Sequence, residues 1–148
     1  LVFVRRRPGA GVLEALLKMA DTVMTYRRRY RSELHPLAVI DLLLLDTTTP
    51  RSVGYQCARI SRQCNALPSL NPSTGLTAEQ RIALEITSLL QLAEPQSLLT
   101  DDGAGGEIGS EALAELLQAL QKQLRRLSDS ITLSYFNHAT DRRLWQSF

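Results

Sequence analysis

The sequence predicts an all-α fold, an antiparallel bundle of about five helices that forms part of a larger helical domain. Three observations carry this. Apolar residues recur at alternating spacings of four and three in several separate stretches, the period of a helix face packed on another helix. Leucine and alanine dominate those stretches. Proline and glycine fall almost entirely between them, the exceptions being Pro36 and Gly54, both near helix starts. The 148 residues, 44% hydrophobic and 22% charged, suit one domain or a substantial piece of one. The expected division is a loop or truncated arm over 1–11, a helical bundle over 12–138 and a tail over 139–148.

The arm contains Arg5-Arg6-Arg7-Pro8-Gly9 and reads as a solvated segment. Its start, Leu1-Val2-Phe3-Val4 ahead of the arginines, reverses the order of a secretory leader, so the sequence reads as a piece cut from something longer. The first helix is expected from Val12 to Leu34, with Val12, Leu16, Met19, Val23, Tyr26 and Tyr30 as its seam. Arg27, Arg28, Arg29 and Arg31 crowd its last turns, where the helix dipole favours cations. His35-Pro36 ends it, because the residue before proline is pushed out of helical space.

Pro36 then opens a short second helix reaching Leu45. It is apolar on most sides, which predicts burial and leaves Asp41 in need of a partner. Thr47-Thr48-Thr49 is a turn, with Thr49 as N-cap and Pro50 as first residue of the third helix. That helix carries Val53, Cys57, Ile60, Cys64 and Leu67 on one face, and Gly54 allows another element to approach closely. Thr77 and Gln80 form a capping box for the fourth helix. Its expected face is Ile82, Ile86, Leu89 and Ala93, widened by Leu90 and Leu92; Glu94-Pro95 ends it, and Gln96 to Thr100 holds one short turn. Asp101-Asp102-Gly103-Ala104-Gly105-Gly106 is a flexible loop by composition. Ser110 caps the last and longest helix, whose seam is Leu113, Leu117, Leu120, Leu124, Leu127, Ile131 and Tyr135. Trp145 and Phe148 lie in the tail.

These residues exclude several functions. No apolar run approaches membrane-spanning length. A formal charge of +2 is too small to point to nucleic acid. His35 and His138 have no metal-ligand spacing with Cys57 or Cys64, so no metal and no cofactor are expected. The two cysteines, about 10 Å apart along one helix, are too far apart to bridge and read as buried, reduced thiols of a cytoplasmic protein. No serine sits in a nucleophile elbow, and no catalytic set is legible. Glu79, Glu85, Glu111 and Glu115 read as solvated helix faces.

What remains is a polar cluster. Arg27, Arg28 and Arg31 end the first helix; Asp41 and Asp46 bracket the apolar run of the second; Arg51 stands in the first turn of the third, where its own helix dipole disfavours a cation. Arg51 is therefore expected to answer Asp41 or Asp46. The first reading is a structural network holding Asp41 and Asp46; the others are a recognition patch for a protein or an acidic ligand and, last, a nucleic-acid surface.

The run Tyr26-Arg27-Arg28-Arg29-Tyr30-Arg31, then Leu42-Leu43-Leu44-Leu45-Asp46, then Pro50-Arg51-Ser52-Val53 with Tyr55-Gln56, resembles the C-terminal half of the bacterial alpha-E domain family. Leu76-Thr77-Ala78-Glu79-Gln80-Arg81 and Leu127-Ser128-Asp129 through Tyr135-Phe136 resemble it too, so the similarity spans about 12–138. The family has asparagine where this chain has Thr49, a residue that also caps helices. The resemblance implies an all-helical domain of unknown function associated with circularly permuted ATP-grasp and transglutaminase-like proteins, in peptide synthesis or modification. It implies that the family's Glu-Arg motif belongs to an N-terminal half missing here. Expected partners are therefore an ATP-grasp-type or transglutaminase-like protein, the missing half of its own domain, or a second copy in a homodimer. The function expected is that of a non-catalytic accessory or interaction module. The alternative is an enzyme subunit whose site forms against the missing half, with Arg28, Asp46 and Arg51 at the seam.

Overall fold

Asp21 divides the first expected helix in two. In the computed structural model, which describes residues 10–31, 33–68, 75–101, 108–109 and 111–136, α1 spans Ala10–Met19 and α2 spans Val23–Tyr30. Asp21 takes a left-handed conformation (φ 53°) that few residues other than glycine, asparagine and aspartate adopt readily. The Asp21 N–H donates to the Lys18 carbonyl at 3.0 Å and the Thr22 N–H to the Leu17 carbonyl at 2.9 Å, the paired bonds that close a helix end. Buried Thr22 adds a hydroxyl bond to Leu17 O at 3.3 Å.

The break changes which side of α1 faces inward. Leu13 and Leu17 are buried, whereas Val12, Leu16 and Met19, expected as the seam, are exposed. One continuous helix would have carried the seam of α2 straight through α1. The left-handed residue turns the chain back instead, and α1 packs beside α2 and α3 with a different face.

Pro36 opens α3 (Pro36–Ile40), which runs on into a wider π-turn over Asp41–Leu45. There the Asp46 N–H reaches back to the Asp41 carbonyl at 2.8 Å. This apolar segment is the partition of the molecule. Val39 and Leu42 join Leu13, Leu17 and Tyr26 in a small core under α1 and α2. Leu44 joins Cys57, Ile82, Ile86, Leu120 and Leu127 in a larger one.

The larger core is built by α4 (Val53–Ala66), α5 (Ala78–Gln91), the short α6 (Pro95–Leu98) and α7 (Glu111–Ile131). α5 lies between α4 and α7 and packs on both. Its capping box is formed as expected: Gln80 N–H donates to Thr77 Oγ1 at 3.3 Å, and Thr77 N–H to Gln80 Oε1 at 3.0 Å. Leu90 and Ala83 complete its buried face, while Leu92, expected inside, is exposed. α7 ends in a second π-turn at Thr132–Phe136. A two-residue antiparallel pairing, β1 (Thr100–Asp101) with β2 (Ile108–Gly109), is the sheet present among the described residues. The fold is all-α, with seven helices among the described residues rather than about five. The difference comes from the split of the first helix and from α6, the short turn expected at Gln96 to Thr100 and formed over Pro95–Leu98. No helix among the described residues is long and apolar enough to cross a membrane. The arm up to Gly9, the glycine-rich stretch 102–107, the Ser110 cap, His138 and the tail lie outside the described residues; Ala10 and Gly11, expected in the arm, belong to α1.

Candidate functional site

The turn between the two cores holds Asp46, whose side chain is 3% exposed. A buried carboxylate requires donors, and the local sequence supplies them. Oδ1 accepts the Thr48 N–H at 2.9 Å and the Thr48 hydroxyl at 2.8 Å. Oδ2 accepts the Thr49 hydroxyl at 2.5 Å and Arg29 Nη1 at 2.6 Å. Two bonds at each oxygen fill the acceptor capacity of a carboxylate. Burial opposes ionisation here, but the hydroxyl and backbone donors of Thr49 and Thr48, with the Arg29 charge, outweigh it and hold the carboxyl at about 2.

Thr49 is thus committed to Asp46, and α4 is capped elsewhere. Its N-cap is the fully buried Ser52, which accepts the Tyr55 N–H at 3.0 Å and donates its own hydroxyl to the Asp46 carbonyl. Pro50 and Arg51 therefore precede the helix, and the expected clash of Arg51 with its helix dipole does not arise. Gly54 brings the first turn of α4 against the π-turn, where an added Cβ would lie 2.7 Å from the Leu45 carbonyl oxygen. The close approach expected at that glycine is present.

Asp41, half-buried at the start of the π-turn, is answered by the Tyr30 hydroxyl at 2.5 Å and not by an arginine. Burial and then the Asp41 carboxylate push the Tyr30 phenol above its ordinary range. The Arg29 guanidinium lies 5.8 Å from the centre of the Tyr30 ring, which stacks at a tilt on Tyr26. Buried Tyr26 donates to the Glu33 carbonyl at 3.1 Å and accepts the His35 N–H at 3.0 Å, tying the end of α2 to the start of α3.

Of the expected set, Asp41 and Asp46 come together with the end of α2, but through Arg29 and Tyr30. Arg27, Arg28, Arg31 and Arg51 are exposed. Arg28 and Arg31 make no hydrogen bond or ion pair among the described residues, and Arg27 acts across a distance on Glu14 of α1. Arg51 reaches Asp21 at 3.9 Å with both side chains largely solvated, and neither Asp41 nor Asp46. The signal for the right partners was present in the sequence. Arg29 and Tyr30 stand three and four residues after Tyr26, so they share its inward side.

A second polar group forms at Glu79, expected as solvated but 4% exposed. Its Oε1 accepts the Ser130 hydroxyl at 2.9 Å and the Ser134 hydroxyl at 2.5 Å, fastening α5 to the end of α7. Burial raises its affinity for a proton, but the bonds from Ser134, from its own backbone N–H, from Ser130 and from Thr77 prevail and lower its pKa. Cys57 and Cys64 are buried and unbridged, as expected, and burial raises both thiols. Among the described residues no group of three or more His, Cys, Asp or Glu is placed to hold a metal ion.

Comparison with known proteins gives one family. Alpha-E, described as a predicted alpha-helical domain with a conserved ER motif, matches residues 3–136. An uncharacterized protein of Mycobacterium tuberculosis strain H37Rv is 32% identical over 131 residues, covering 86% of this chain and 14% of that protein. Uncharacterized proteins of Mycobacterium bovis and of M. tuberculosis strain CDC 1551 match at the same 32% over 131 residues. The chain thus spans 14% of the length of these relatives. No solved structure matches it significantly. No glutamate in this sequence is followed directly by arginine, so the dipeptide of the family's description does not occur here.

Proposed function

The chain belongs to the Alpha-E family, and from that premise we propose that it is a non-catalytic helical interaction module serving an ATP-grasp-associated system of peptide synthesis or modification. One observation carries the non-catalytic part. Asp46 is the buried acid at the centre of the network, and all four of its acceptor sites are occupied by Arg29, Thr48 and Thr49. A carboxylate saturated in this way offers no lone pair to a substrate proton. Asp41 is likewise engaged by Tyr30. The network's work is to hold α2, the π-turn and α4 in register.

The interaction part is supported by the surface. Among the described residues Arg28 and Arg31 project unpaired, and ten large apolar side chains are exposed. The ATP-grasp-type partner comes from the family resemblance of the Tyr26 to Gln56 run. Two measurements test the reading. The purified chain is expected to show no ATP turnover and to capture an ATP-grasp-type protein expressed with it. ATP hydrolysis that vanishes in Asp46→Asn, with the helical signal retained, would overturn it.

A further inference from the structure

The outer side of α2 carries positive charge that no described residue answers. Met24, 66% exposed, and Arg28 stand four residues apart on the side of the helix away from buried Tyr26, and Arg31 follows at its C-cap. Arg28 and Arg31 are exposed and make no hydrogen bond or ion pair among the described residues. The charges around them are committed. Lys18 and Arg27 act on Glu14, Arg29 is bound to Asp46, and Asp41 accepts from Tyr30. Arg51 answers Asp21. Glu33, two residues beyond Arg31, forms an ion pair with neither Arg28 nor Arg31.

Two further observations single out this row. Arg31 is left-handed, at φ 47°, where glycine would close the helix without steric cost. An arginine is held there although its guanidinium gains no bond within the described residues, and backbone strain of this kind gathers where a side chain serves a function. The helix end beneath the row is also rigid. Tyr26 bonds the Glu33 carbonyl and the His35 N–H, Arg29 bonds Asp46, and Tyr30 bonds Asp41. Arg28 and Arg31 therefore project from a backbone fixed on its inner side, and little ordering is left to oppose binding.

The chemistry of the row selects its partner. Guanidinium forks take carboxylates or phosphates. The C-terminal end of a helix presents carbonyl oxygens, not the N–H donors that cradle a phosphate. The rings of Tyr26 and Tyr30 stack on each other, and Tyr26 is buried, so the pair makes no open platform for a base. Carboxylates remain, and exposed Met24 adds an apolar contact beside them; methionine and arginine are both enriched in protein interfaces. We propose that the row Met24, Arg28 and Arg31 binds an acidic helical segment of a partner protein. Carboxylates one turn apart on that segment take the two guanidiniums, and an apolar residue of the same face covers Met24. This rests on the reading of the chain as an interaction module and names what the module recognises, and its test requires no ATP-grasp protein.

The probe is a labelled synthetic helical peptide that carries two glutamates four apart and a leucine one turn away on the same face, titrated with the full chain by fluorescence anisotropy. Saturable binding is expected, weakening as salt rises. A peptide with glutamines in place of the glutamates should bind at least about tenfold more weakly. Arg28→Glu with Arg31→Glu should weaken binding of the glutamate peptide by at least about tenfold. Arg59→Glu with Arg62→Glu, an equal change of charge at exposed positions of α4, should leave it nearly unchanged. Arg31→Gly is expected to melt higher than the parent and to bind more weakly. All these positions are exposed, so circular dichroism should report native helicity in each variant. A chain that does not bind the glutamate peptide overturns the proposal, even if it captures an ATP-grasp-type protein. Equal losses in the two double variants overturn it, because net charge alone would then explain binding. Tighter binding of inorganic phosphate or of a single-stranded DNA oligomer than of the peptide overturns it as well.

Discussion

Arg29 Nη1 meets Asp46 Oδ2 at 2.6 Å and ties the second helix to the turn that precedes the fourth. Arg51, the arginine nearest to that turn in sequence, points instead to Asp21 at 3.9 Å in solvent. Thermal melts should separate the two. Asp46→Ala is expected to cost about 1–3 kcal/mol, since it strips a guanidinium, two hydroxyls and an N–H of their acceptor. Arg29→Ala is expected to cost about 1 kcal/mol. Arg51→Ala should stay within about 0.5 kcal/mol of the parent, as solvated pairs do. Equal losses in Arg29→Ala and Arg51→Ala would contradict this assignment.

The depressed Asp46 pKa makes a stability contribution with a definite sign. A carboxyl at about 2 in the folded chain, against an ordinary 3.8, stabilises the fold while it is ionised. That contribution, about 2 kcal/mol, is complete above the unfolded value and disappears as pH falls through the folded one. The stability gap between the parent and Asp46→Asn should therefore be flat near neutrality and close between about pH 5 and pH 2. Urea unfolding at a series of pH values reads this directly; a gap that widens toward acid would refute it.

Gly54→Ala should reverse the usual helix trend. In an open helix the change is worth about 1 kcal/mol of stabilisation. Here the new methyl would sit 2.7 Å from Leu45 O and 3.1 Å from Asp46 O, which are backbone atoms that cannot rotate aside. A loss of about 1–3 kcal/mol is expected in chemical denaturation. A stabilised Gly54→Ala would show that α4 and the π-turn are not in close contact.

Glu79 provides a test of the other end of the bundle. Glu79→Ala removes the shared acceptor of Ser130 and Ser134 and is expected to cost about 1–2 kcal/mol. Glu79→Gln keeps Oε1 as an acceptor and should recover most of that loss. Hydrogen exchange at the C-terminal turns of α7 should rise in the alanine variant and change little in the glutamine one. Identical exchange in all three proteins would remove Glu79 as the fastening of α7.

Much of the side-chain chemistry acting over three or four residues was readable. The capping box at Thr77 and Gln80, the proline at the start of α3 and the apolar run from Leu42 to Leu45 each follow from local bonding rules. So does the need of Asp41 and Asp46 for partners. The misreadings have separate causes. Thr49 is a good N-cap by type, but Asp46 competes for its hydroxyl, and Ser52 caps α4 instead. Glu79 has the pattern of a solvated acid, and its two serines lie more than fifty residues away. The seam of α1 was misplaced because the period continues through Asp21, while the backbone does not.

By itself the sequence determined an all-α chain, most of its helix boundaries, and a turn of buried acid between apolar runs. Periodicity, capping and proline placement act within a few residues, so they survive in a one-dimensional reading. Only the tertiary structure decided which cation meets which acid, which face of α1 is left outside, and that Glu79 is an interior group. Those outcomes depend on where a left-handed residue sends the chain and on which distant side chain arrives with a proton to donate.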